Sequence, residues 1–159
     1  MIASRNFANI AIIVPTIALI DETRRRLGAF RSEYKIITHS FQEPSDNNIF
    51  ILTQERALEL DNLSMVDFFV IDEFYKLHPR GEDQDRSFLL NQIFYRLLKT
   101  ARQFYLLGPN IEQIPVGFTD KYKCTFIKTD YVTVASDVER ISARGKEDET
   151  LVEICGRLG

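Results

Sequence analysis

The stretch "FFVIDEFYKL", residues 68–77, sets an acidic pair, Asp72 and Glu73, directly behind four apolar residues. A run this short, rich in aromatic and β-branched side chains, reads as a buried strand, and the two acids then emerge at its carboxyl end. In an open α/β sheet that end is where ligands bind. A plainer reading has Asp72 capping a following helix and Glu73 solvated. The surrounding sequence bears on the choice. Four more apolar runs of the same form occur: "IAIIVP" (10–15), "YKIIT" (34–38), "IFILT" (49–53) and "QFYLLG" (103–108).

Segments of helical period lie between them. Leu19, Thr23, Leu27 and Phe30 recur at steps of four, four and three across 17–30, and "RSFLLNQIFYRLLKTAR" (86–102) sets Leu89, Ile93, Leu97 and Ala101 on one stripe. Alternation of this kind predicts an α/β domain with a mostly parallel sheet flanked by helices. The polar loop "HPRGEDQD" (78–85) is expected to be exposed and mobile. Further on, "YKCTFIKTDYVTVA" (122–135) predicts one or two more strands. "SARGKEDE" (142–149) reads as a linker, and Leu151, Cys155 and Leu158 share one face of an expected terminal helix. The expected division is a domain over 1–141 followed by a linker and helix over 142–159.

Composition narrows the class. At 159 residues, with 45% hydrophobic and 27% charged residues, the chain has the size and balance of one domain with a single core. Its longest apolar run, Ile10 to Pro15, is too short to span a membrane, and residues 1–9 lack the features of a signal peptide. A soluble, cytoplasmic protein without membrane association is expected. Cys124 and Cys155 form no CxxC, and His39 and His78 have no Cys or His at ligand spacing, so reduced cysteines and no structural zinc are expected. A net charge of -3 argues against a generally basic nucleic-acid coat while leaving room for a local basic face. Arg24, Arg25 and Arg26 read as the solvated face of the helix over 17–30.

Four strand ends carry polar or turn residues: Pro15-Thr16, Thr53-Gln54-Glu55-Arg56, Asp72-Glu73 and Gly108-Pro109-Asn110. In this order they resemble the first RecA-like domain of the superfamily 2 DExD/H-box helicases, across roughly residues 10 to 135. "AIIVPTIALIDETRRRL" (11–27) looks like motif Ia, "IFILTQERALEL" (49–60) is similar to motif Ib, and "VIDEFYKL" (70–77) looks like motif II, the Walker B motif. "YLLGPNIEQIP" (105–115) stands in the place of motif III. The resemblance implies ATP hydrolysis with Asp72 holding Mg2+ and Glu73 positioning the attacking water, chemistry that needs one carboxylate on the metal and another beside the water. It also implies that Pro15, Thr16, Thr53, Gln54 and Arg56 contact the backbone of single-stranded DNA or RNA, and that Gly108 and Asn110 couple nucleotide state to nucleic acid. Tyr75 stands where the family usually has Asp or His, and Gly108-Pro109-Asn110 carries no hydroxyl where Ser and Thr are usual.

One element of a nucleotide motor is missing from the sequence. Of the 7 glycines only Gly145 precedes a lysine, and Arg140 and Glu147 then break the G-x-x-x-x-G-K-[ST] pattern. The expectation is therefore a RecA-like domain incomplete at its N-terminus, inactive as an ATPase by itself and partnered by a second RecA-like domain elsewhere. Without the strand that leads into motif I, "QFYLLG" would expose an edge through which two copies could pair into a homodimer. Two other readings stay open. One is a non-catalytic RecA-like or flavodoxin-like binding or adaptor module. The other is a magnesium-dependent phosphoryl enzyme of receiver-like fold, which would want acids after its first strand, where Pro15-Thr16 stand.

Overall fold

The computed structural model describes residues 7–61, 63–78, 84–109, 111 and 114–128, together with the backbone of two further strands at 137–141 and 152–156. Five strands, β1 (Asn9–Ile13), β2 (Lys35–Ile37), β3 (Asn48–Leu52), β4 (Phe68–Ile71) and β5 (Gln103–Leu106), form one all-parallel sheet in the order β2-β3-β1-β4-β5. The central strands carry unbroken apolar runs because helices cover both sheet faces. All of β3 is buried, whereas the edge strand β5 is half-buried along its length.

The pleat sorts the core into two layers. Ile10, Val14, Ile49, Ile51 and Phe68 pack with Phe7 and with Ile20 of α1 (Ile17–Arg26). On the opposite face Phe69 meets Phe94 of α3 (Gln84–Leu98) edge-on at 6.1 Å and stacks on Phe104 at 5.4 Å. The buried stripe of α3 is Ser87, Leu90, Ile93, Phe94 and Leu97. Leu89 is only half-buried and Ala101 lies beyond the helix end, so the stripe expected from spacing is rotated towards Leu90 and Phe94. The helix expected over 17–30 becomes a tighter 3-10 turn from Leu27 to Phe30. Arg24 and Arg26 pair with Asp21 and Glu22 on its exposed side.

A partly buried polar clamp sets the register at the amino end of the sheet. The Asp67 carboxylate accepts from the amides of Ala8 and Asn9, at 3.0 and 3.1 Å, and pairs with Arg102 at 3.0 Å. Asn48 donates to Asn9 Oδ1 at 2.8 Å. Slipping β1 by one residue would break the Asp67 bonds to the Ala8 and Asn9 amides and the Asn48–Asn9 bond.

The chain runs from β1 through α1 to β2, returns through β3 to the strand beside β1, and then crosses through α2 (Gln54–Leu58) to β4 on the other side of β1. Connections therefore leave β1 and β4 in opposite directions, which opens a crevice at their carboxyl ends. The topology is an α/β sheet consistent with a RecA-like fold, and β5 has no second neighbour among the described residues.

The chain divides into compact units Met1–Asn110 and Ile111–Gly159. Two expectations from the sequence are corrected. In the second unit a short helix, α4 (Phe118–Tyr122), ends on the first residue of the stretch expected to form strands, Lys123 closes it in a left-handed conformation, and residues 124–128 form no strand. Thr125, Phe126 and Ile127 have strand-like side chains, but a strand needs a ladder partner, and none is present there among the described residues. Residues 129–135 of that expected strand region lie outside the described residues. The expected terminal helix is instead a strand, β7 (Val152–Gly156), paired antiparallel with β6 (Asp137–Ile141). Val152 and Ile154 alternate with Glu153 and Cys155, a period of two that coexists with the helical spacing of Leu151, Cys155 and Leu158. No helix among the described residues is long and apolar enough to cross a membrane.

Candidate functional site

The crevice between the carboxyl ends of β1 and β4 holds a cavity of about 190 Å³. Ile13, Val14 and Leu90 give it apolar walls, and Gln54, Asp72 and Arg86 line it with polar groups. Each polar residue arrives from a different element. Asp72 follows β4, its amide still bound to Ile13 O at 2.9 Å. Gln54 opens α2 behind Thr53, and Arg86 sits in the first turn of α3.

Asp72 Oδ1 accepts the Glu73 amide at 2.9 Å, and its other oxygen accepts no hydrogen bond among the described residues. Burial pushes its carboxyl above the ordinary range, against the pull of that amide hydrogen bond, and the neighbouring Glu73 charge adds to the rise. Glu73 takes the left-handed conformation, φ 54 and ψ 46, one of two positive φ values at a non-glycine residue described. That conformation costs a β-carbon-bearing residue about 1 kcal/mol or more and clusters at functional sites. It turns the chain sharply into the 3-10 segment Phe74–Leu77, where Phe74 N donates to Leu107 O at 2.9 Å and ties the acidic turn to the end of β5. The Glu73 carboxylate is held by Lys76 Nζ at 2.6 Å, while the cavity wall at this turn is formed by Asp72, Tyr75, Lys76 and His78.

Arg86 spans three elements. Its Nη2 donates to Pro15 O at 2.6 Å and its Nε to Glu55 at 3.1 Å. Burial acts to raise the Glu55 carboxyl, but hydrogen bonds from Thr53, from its own amide and from Arg86 together hold it below the usual range. Gln54 is only 5% exposed and lines the cavity, and no buried side-chain nitrogen or oxygen among the described residues lacks a hydrogen-bond partner.

The structure thus brings Pro15, Gln54 and Asp72 together at one cavity. Thr16 is exposed and caps α1, its hydroxyl accepting Leu19 N at 3.4 Å. Thr53 is buried at the start of α2, and the Arg56 guanidinium is turned back onto Thr38 O at 2.9 Å. Gly108 is exposed beyond β5, and Asn110 lies outside the described residues. Arg86, Lys76 and His78 escaped the motif reading. Arg86 did leave a signal: a cation in the first turn of a helix opposes the helix dipole, so it needs a dedicated partner.

A magnesium nucleotide fits this donor set on one side only. Mg2+ is held by one or two carboxylates together with substrate phosphates, which suits the single Asp72; no cluster of three or more His, Cys, Asp or Glu side chains exists among the described residues to hold a metal unaided. The lysine and amide cradle for the phosphates has no counterpart in the sequence.

No protein-family model matches the chain. It is similar to "Anti-bacteriophage protein B" of Escherichia coli (strain K12), with 41% identity over 158 residues that cover 94% of the chain and 22% of that protein. The chain therefore spans about a fifth of the length of this relative.

Proposed function

We propose that this chain is the Walker B half of an ATP-driven motor that moves along single-stranded nucleic acid. The observation that carries the reading is Asp72, set by the central strand β4 at the switch-point crevice with one carboxylate oxygen open. In an intact motor Asp72 would hold a magnesium ion, which would supply charge neutralisation for the nucleotide phosphates. Within this chain, Asp72 presents the metal-binding oxygen and Glu73 is the base for the attacking water. Moving Glu73 off Lys76 would be part of activation. Arg86 links that crevice to Pro15, just before α1, where the exposed Thr16 suits a phosphate of the strand. The anti-bacteriophage name of the relative supports a setting in defence against phage, with phage DNA or RNA as the strand handled. A non-catalytic adaptor of the same fold would have no use for a half-buried acid facing this cavity.

Anisotropy titrations with labelled single strands of several sequences test this. Weak binding without base preference is expected, with a shallow salt dependence in which each neutralised phosphate adds roughly 0.7 to the slope. Absence of binding at low salt, or a strong base preference, would overturn the reading.

A further inference from the structure

We propose that Phe41, backed by His39, is a stacking platform for an unpaired nucleobase. The proposal rests on the single-strand reading above and adds to it a contact with a base rather than with the backbone. Phe41 is 80% exposed in the loop that leaves the carboxyl end of β2, the edge of the sheet shared by Thr16 and Asp72. One face of its ring lies on His39, with centroids 5.0 Å apart and planes at 21°, and the rest of the ring is open to solvent.

The loop that carries the ring is braced from several directions. Gln42 Oε1 accepts from the amides of Thr38 and His39 at 2.7 and 3.0 Å, and Ser40 Oγ donates to Glu59 of the next segment at 3.1 Å. Arg56, which the motif reading had assigned to phosphate, donates to Thr38 O at 2.9 Å and so serves as a further brace. An aromatic ring held in place by its own loop, with a free face, binds without the entropy cost of ordering a mobile side chain. Base stacking uses such a face and tolerates any sequence, because every base has one.

Residues 38–47 carry no Lys or Arg, so what this loop offers a strand is the ring rather than a phosphate contact. The surroundings also disfavour a protein partner. Ser40, Gln42 and Glu43 border Phe41 with polar side chains, whereas a protein hot spot is ringed by contacts that exclude water.

The test compares a labelled single strand with the same strand carrying abasic residues, using the wild-type chain, Phe41→Ala and Phe41→Trp. Phe41→Ala is expected to weaken the intact strand roughly 5- to 150-fold, the range for loss of one stacked base, and to leave the abasic strand unaffected. The salt slope should not change, since no phosphate contact is lost. The chain contains no Trp, so Phe41→Trp supplies a single indole whose fluorescence should be quenched by the intact strand and not by the abasic one, at near wild-type affinity. Equal binding of the intact strand by wild type and Phe41→Ala, equal weakening of both strands, or an effect of Phe41→Ala confined to self-association in sedimentation would each overturn the platform. A wild-type chain that binds neither strand would instead overturn the single-strand reading, and the platform with it.

Discussion

Replacing Asn48 by Ala removes three hydrogen bonds from the amino end of the sheet, and the structure separates the cost of each. The Asn48 amide donates to Asn9 Oδ1 at 2.8 Å and to Ser45 O at 2.7 Å, and its own Oδ1 accepts from Ser45 N at 2.8 Å. Ser45 is exposed, so water takes over both of its groups. Asn9 is 9% exposed and Asn48 fully buried, so Asn9 Oδ1 is left without a partner, at about 1–3 kcal/mol. The small void adds about 1 kcal/mol. The sum, roughly 2–4 kcal/mol, is a large fraction of the roughly 5–15 kcal/mol that holds a domain folded. Urea unfolding followed by far-UV circular dichroism should show a lower midpoint at an unchanged slope. Because the damage is an orphaned acceptor, Asn9→Ala combined with Asn48→Ala should cost less than the sum of the single changes, by about 1 kcal/mol or more. A loss below about 1 kcal/mol, or strict additivity in the double variant, would refute the reasoning that this buried pair holds β1 against β3.

Other consequences are open to measurement. Burial raises the Asp72 carboxyl, so the folded state loses stability as pH climbs through the folded pKa. Asp72→Asn should therefore melt higher than wild type at pH 8, and the gap should close by about pH 3, where the acid is protonated in both states. An equal gap at both pH values would contradict the burial argument. Arg86→Ala should lose about 1–2 kcal/mol, moderated by the partial exposure of its bond to Glu55, and Arg86→Lys should recover only part because an ammonium cannot reproduce the two-way fork. Wild-type-like melting of Arg86→Ala would show that the bridge is incidental. Phosphate release from ATP by the isolated chain should match that of Glu73→Gln, since the sequence contains no phosphate-binding loop; robust turnover abolished by Glu73→Gln would contradict the half-site reading. Light scattering over a concentration series should show association through β5, and a strictly monomeric species at millimolar concentration would exclude pairing at that edge.

The five strands of the sheet and its two main helices were legible in the sequence because of how they are buried. A parallel strand covered on both faces must be apolar at every position, as "IFIL" within β3 is, and a helix covered on one face must repeat its apolar residues with its own period, as α3 does. The acids of "VIDE" were legible as the end of such a strand, since a buried run that stops at Asp72 must release it at the sheet edge. Where strand character depended on a partner, sequence was not enough. "CTFIK" has the residues of a strand and forms none, while "VEICG" fits two periods and pairs with the strand Asp137–Ile141. Only the tertiary structure decided which distant residues meet. Strand order put β4 beside β1, and with it Asp72 across from Pro15, Gln54 and Arg86, although no local pattern links them. The directions of the long charged side chains were decided there as well: Arg86 turns to the Pro15 carbonyl and Arg56 to the Thr38 carbonyl. A long side chain points wherever the best-satisfied partner lies, and that partner is supplied by elements remote in sequence, so its orientation is a property of the folded chain alone.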